Sequence, residues 1–182
     1  MLTLEQTQRY ARQIALPEVG TDGQARIGAA RVVIISHGDV AARAAAEYLR
    51  AGGVGSVDLI PSPADPAGWL QALQGATLAL RFSFDDDPLL RTAVRLGIPV
   101  LVGTVRTDGV DLFAFRRHGP CPHVGQDIPL RPAAAGVGDD GAGAVVLATL
   151  AASEALQLLV TPQAPPRARL LRLPLAPDGG PP

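Results

Sequence analysis

Arg31-Val-Val-Ile-Ile-Ser36, His37-Gly38-Asp39, Val40-Ala-Ala-Arg-Ala-Ala-Ala-Glu-Tyr-Leu-Arg-Ala51, Gly52-Gly-Val-Gly55 and Ser56-Val-Asp-Leu-Ile60 follow one another without a break. A β-branched run leads through small residues into a helix former. Glycines then close the helix before a second apolar run. This pattern predicts the opening βαβ unit of a doubly wound, mostly parallel α/β sheet with helices on both faces. In such a unit the first turn and the helix N-terminus that follows receive phosphate through backbone amides.

Composition narrows what the unit can serve. The chain has 182 residues, enough for one domain with a real core, and it is 47% hydrophobic but only 4% aromatic. Its core must therefore be built from Ala, Val, Leu and Ile. A net charge of −1 gives no electrostatic case for nucleic acid or an anionic membrane. All 16 basic residues are arginine, so no step can use a lysine. A single cysteine, Cys121, excludes an internal disulfide and fits a reducing compartment. The N-terminus has no basic-then-apolar leader, and no apolar run approaches the ~20 residues of a membrane span, so a cytoplasmic protein is expected.

Around the opening unit, Thr3-x-x-Gln6 reads as a capping box starting a helix to about Ile14, broken by Pro17 and Gly20. A second short helix, about Asp22 to Ile27, precedes the first strand. After Ile60, Pro61-Ser-Pro-Ala-Asp-Pro66 cannot be helical. A brief helix is expected at Trp69 to Leu73, a strand at Ala76 to Phe82, a helix from Asp85-Asp86-Asp87-Pro88 to about Leu96, and a strand at Gly97 to Val102. Thr107-Asp-Gly109 signals a turn that returns Val110 to Phe115 as a hairpin partner. Arg116 to Asp140 is rich in Gly, Pro and Arg without apolar period, and a loop of that length is usually functional or mobile. Gly141 to Val160 reads as a mostly buried helix, and Leu170 to Leu175 as a last strand in a Pro-rich extension (residues 161–182) beyond a 1–160 domain.

Arg9-Tyr-Ala-Arg-Gln13, Arg31-Val-Val-Ile-Ile35, Tyr48-Leu-x-Ala-Gly-Gly-Val-Gly55 and Gly119-Pro-Cys121, in this order, resemble the ThiF/MoeB/HesA family, bacterial relatives of ubiquitin-activating enzymes. The similarity covers about Leu4 to Leu159 with a gap in the middle. It implies a Rossmann-like fold and a chemistry in which ATP and magnesium adenylate the C-terminal glycine of a ubiquitin-like or sulfur-carrier protein. It also implies a dimer in which an arginine of one subunit reaches the other subunit's ATP; by position in the motif that arginine is Arg12.

Residue by residue, this chain departs from that chemistry. A phosphate turn wants Gly-x-Gly-x-x-Gly, or Ala in the last place; here the turn is Ser36-His37-Gly38-Asp39-Val40-Ala41. Gly38 and Ala41 remain as a phosphate-turn remnant. Ser36 replaces the first glycine, and Asp39 puts a carboxylate where a triphosphate would seek amides. That carboxylate can instead cap the helix itself, worth ~1 kcal/mol. Pro61 stands where an acid would hold the ribose, while Asp58 lies within the strand and should face away. The segment that carries an Asn-Leu-x-Arg-Gln stretch and a catalytic lysine in the family is missing. Asp86 falls where the family has a magnesium-binding aspartate, with helix N-terminal charge complementarity as its other reading. Zinc needs four thiolates and is not expected. His118, Cys121 and His123 form at most a partial metal or thiol set. Arg9 and Arg12 read otherwise as solvated helix faces or as ion pairs with Glu5 or Glu18.

Three functions follow from these residues. The first is a noncatalytic dimer partner or scaffold, a homodimer or a heterodimer with a family paralogue. It lends Arg12 in trans or presents a ubiquitin-like tail and binds no cofactor of its own. The second is a working adenylyltransferase using magnesium at Asp86 and an arginine for the missing lysine. The third, an NAD-dependent oxidoreductase, lacks both a ribose acid and an acid/base pair. The helix 141–160 and the N-terminal helices are the expected contact surfaces.

Overall fold

The computed structural model describes residues 2–83, 88–116, 141–161 and 167–175. Elements run α1 (Leu4–Arg9), α2 (Ala11–Ile14), α3 (Gly20–Ala29), β1 (Arg31–Ile35), α4 (Val40–Ala51), β2 (Ser56–Ile60), α5 (Pro66–Leu73), β3 (Leu78–Arg81), α6 (Pro88–Leu96), β4 (Val100–Arg106), β5 (Gly109–Arg116), α7 (Ala142–Val160) and β6 (Arg167–Pro174). The strands form one sheet in the order β2-β1-β3-β4-β5-β6. The first four are parallel, while β4–β5 and β5–β6 are antiparallel.

The parallel strands read as unbroken apolar runs because both faces are covered. Val32, Ile34, Leu78, Leu80 and Leu101 meet α3, α4 and α7, whereas Val33, Ile35, Ala79, Val100 and Val102 meet Trp69 and Leu73 of α5 and Leu89 and Ala93 of α6. Alanines on the inner face of α4 (Ala41, Ala42, Ala45, Ala46) let it lie close to its neighbours. The doubly wound α/β expectation holds, with its opening unit at the predicted boundaries.

Several details differ. The first helix is two, because Tyr10 (φ −102°, ψ 17°) leaves helical geometry between α1 and α2. Gly20 does not break a helix but opens α3, at φ +59°. The last strand starts at Arg167, earlier than Leu170, because it pairs with β5 along that strand's whole length. No apolar run near twenty residues was expected, yet the nineteen-residue α7, with mean hydropathy 1.8, is long and apolar enough to cross a membrane. Half of that span is buried inside the fold, where α7 packs on β3, β4, β5, α3 and α4, and this accounts for its composition.

Beside β4, the carboxylate of Asp111 on β5 is 4% exposed and binds two arginines. Arg172 of β6 grips it with both ends of its guanidinium, Nε to Oδ1 at 3.0 Å and Nη2 to Oδ2 at 2.9 Å. Arg106 of β4 donates through Nη1 at 3.2 Å, and its Nε also lies 3.1 Å from Asp108. One acid thus ties three antiparallel strands together. It holds the Arg172 guanidinium above the ordinary arginine range, first through this hydrogen bond and then through charge attraction. A raised pKa means that the pair's contribution is complete below arginine's ordinary pKa and is lost only as pH climbs through the raised one.

Candidate functional site

In a doubly wound sheet, ligands bind outside the carboxyl ends of the strands where the order reverses. Here β1 is flanked by β2 on one side and β3 on the other, so the reversal lies between β1 and β3. The turn leaving β1 is Ser36 to Asp39, and it is closed by its own side chains. Ser36 is nearly buried, and its amide donates to Ile60 O at 2.9 Å, extending the β1–β2 ladder. Its Oγ accepts from the Gly38 amide at 2.9 Å and donates to Asp39 Oδ2 at 2.8 Å. Asp39 Oδ1 accepts from the Ala42 amide at 2.7 Å, capping α4. Gly38 takes φ +93°, a conformation that glycine adopts without a Cβ penalty. Ala41 is buried against the core rather than open to the crevice.

A phosphate would have to displace Asp39 from the Ala42 amide and Ser36 from Gly38, and then sit against a carboxylate. The amides that a nucleotide triphosphate would seek in this turn are thus already engaged by side chains. Sequence alone identifies Asp39 as a cap, but it reads Ser36 only as a lost glycine and misses the two bonds that lock the turn. Asp39→Ala is expected to lower stability by about 1 kcal/mol, measured by urea denaturation, through loss of the cap.

The other predicted residues divide. Asp58 is engaged at the opposite end of the sheet, its Oδ2 accepting from Arg31 Nε at 2.8 Å. Asp86, with Asp85 and Asp87, lies outside the described residues, as do His118, Cys121 and His123. Among the described residues no cluster of three or more His, Cys, Asp or Glu is placed to hold a metal.

Arg12 stands on α2, exposed. Among the described residues neither it nor Arg9 has an ion pair with Glu5 or Glu18; the Arg9 guanidinium instead lies 5.7 Å from the Tyr10 ring centroid. The capping box at Thr3 is present, with the Gln6 amide donating to Thr3 Oγ1 at 3.1 Å and the Thr3 amide to Gln6 Oε1 at 2.9 Å. Yet α1 and α2 bury no residue of their own, and Leu4 and Leu16 are 76% and 52% exposed. Helices this short gain little stability alone. Beside them a cleft of about 600 Å³ opens between Gln13, Leu16, Val19 and Ile27 and the end of α7 at Leu156 and Val160. Tyr10 packs at Gly53, just before β2, so this arm borders the amino edge of the parallel strands. The turn at Gly38 is at the carboxyl edge, across a five-residue strand or roughly 16 Å.

No family model matches the chain. Over 80 residues it is 40% identical to the bovine (Bos taurus) "Adenylyltransferase and sulfurtransferase MOCS3", a segment covering 43% of this chain and 17% of that protein. Over 59 residues it is 39% identical to the "Probable adenylyltransferase/sulfurtransferase MoeZ" of Mycobacterium tuberculosis, covering 32% of this chain and 15% of that one. The matches thus span less than a fifth of the length of these relatives. Among solved structures, PaaA superposes with a TM-score of 0.63 at 12% identity, over 96% of this chain and 75% of that one. E. coli MccB superposes with a TM-score of 0.57 at 14% identity, over 93% and 71%.

Sheet order and the position of the β1 turn define the class, a doubly wound α/β domain. Within that class its sequence is similar to ThiF-family adenylyltransferases over part of its length.

Proposed function

We propose that this chain is a noncatalytic partner in ThiF-type adenylation. It binds no ATP or magnesium of its own and lends Arg12 to the nucleotide site of a second subunit, either another copy or a family paralogue, that adenylates the C-terminus of a ubiquitin-like or sulfur-carrier protein. The observation that supports this reading is the contrast between its two halves. The β1 turn has spent its Gly38 and Ala42 amides on Ser36 and Asp39. The arm carrying Arg12 keeps its motif and its capping box, and it exposes apolar side chains beside a cleft. Its distance from the Gly38 turn favours action on another subunit over action on its own. A guanidinium is useful there because it stabilises charge developing on phosphates.

The adenylyltransferase activity in the relatives' names favours a second reading, a residual adenylyltransferase that uses Asp86 for magnesium. Arginine is a poor stand-in for the compact ammonium of the missing lysine. Carrier-dependent exchange of labelled pyrophosphate into ATP separates the two. No exchange by the chain alone, with exchange restored on mixing with a paralogue that has an intact turn, is the expected result. Exchange by the chain alone would overturn the proposal.

A further inference from the structure

The arm is attached to the body at a notch. A Cβ added at Gly53 would lie 2.7 Å from Tyr10 Cζ and 2.8 Å from Gln24 Nε2, so the Tyr10 ring and the Gln24 carboxamide converge where only glycine leaves room. Gly53 itself sits at φ +90°. Gln24 is 1% exposed, and its Nε2 donates to Gly52 O at 3.1 Å, which fixes the floor of the notch. Among the described residues its Oε1 is buried without a partner. Leaving a buried acceptor unmade is costly, and the bond to Gly52 O keeps the carboxamide in place beside Gly53, across from the tyrosine ring.

Because α1 and α2 bury nothing of their own, they are held by the packing of α2 on α3 and by this contact with the turn between α4 and β2. We propose that Tyr10, seated at Gly53 and braced by Gln24, is the positioning residue that aims Arg12 at the partner's nucleotide. The proposal rests on the reading of Arg12 as acting in trans. Misplacement of a reacting group by about 1 Å costs on the order of 10²-fold in rate, so a tyrosine two residues from the arginine governs its effect without touching substrate.

The test uses the full chain with Tyr10→Ala, Tyr10→Phe, Gly53→Ala and Arg12→Ala. Amide hydrogen exchange is read over residues 4–14 in the chain alone, and adenylation is read in the mixed complex. Tyr10→Ala and Gly53→Ala are expected to speed exchange of the arm amides by roughly tenfold or more, leaving those of β1 and β3 unchanged. They are also expected to slow mixed adenylation by about 10²-fold through kcat. Tyr10→Phe, which keeps the ring, is expected to behave as the parent. Unchanged arm exchange in both Tyr10→Ala and Gly53→Ala would overturn the anchor. A loosened arm with full trans activity, while Arg12→Ala is slow, would overturn the positioning role and leave the trans reading standing. An Arg12→Ala complex as fast as the parent would remove the trans reading and the aim together, whatever the exchange data give.

Discussion

Arg12→Ala is expected to slow carrier adenylation in a mixed complex by about 10³-fold, the lower end of what an arginine supplied in trans contributes to phosphate chemistry. The loss should fall on kcat in single-turnover measurements, because the guanidinium meets charge that develops only in the transition state. Stability should hardly move: Arg12 is exposed and has no ion pair or hydrogen bond among the described residues, and surface substitutions of that kind stay within about 0.5 kcal/mol. A large kinetic loss with an unchanged melting curve is hard to explain by structural damage. An unchanged rate would remove the arginine's role.

The second large effect concerns the fold. Asp111→Ala is expected to destabilise the chain by about 3 kcal/mol in urea denaturation, because it leaves Arg106, in a site with little exposure, only the exposed Asp108 as ion-pair partner among the described residues and frees Arg172 from its two-point grip. That is a large fraction of the 5 to 15 kcal/mol typical of a domain. Arg172→Ala, removing a half-exposed partner and leaving Arg106 on the acid, should cost clearly less. Equal stability of Asp111→Ala and the parent would show that the antiparallel half of the sheet does not depend on this acid.

How much of this was legible in the sequence follows from the range of each interaction. The unit from Arg31 to Ile60 is local: its apolar runs, the Asp39 cap and the closing glycines each act within a few residues, and its boundaries are where the sequence places them. The same holds for the Thr3 capping box and for the hairpin turned at Thr107-Asp-Gly109. Interactions across the chain are hidden. Asp111 reads as an ordinary polar residue in an apolar strand until Arg172, 61 residues later, comes alongside. Tyr10, Gln24 and Gly53 meet only once α3 and the β2 turn are folded. The hint in the sequence was the pair Gly52-Gly53, more glycine than ending a helix requires.

At the candidate site, composition showed that glycine was lost at Ser36 and acid gained at Asp39. It did not show that these two residues bond to each other. That bond turns two separate departures into one closed turn. Whether Asp39 and Ser36 exclude phosphate is the claim on which the functional reading depends, and thermal unfolding of the isolated chain with and without magnesium-ATP tests it most directly. The account predicts the same melting temperature in both. A rise of roughly 5 to 10 °C, as expected for a ligand at a hundred times its Kd that contributes about 2.7 kcal/mol, would contradict it.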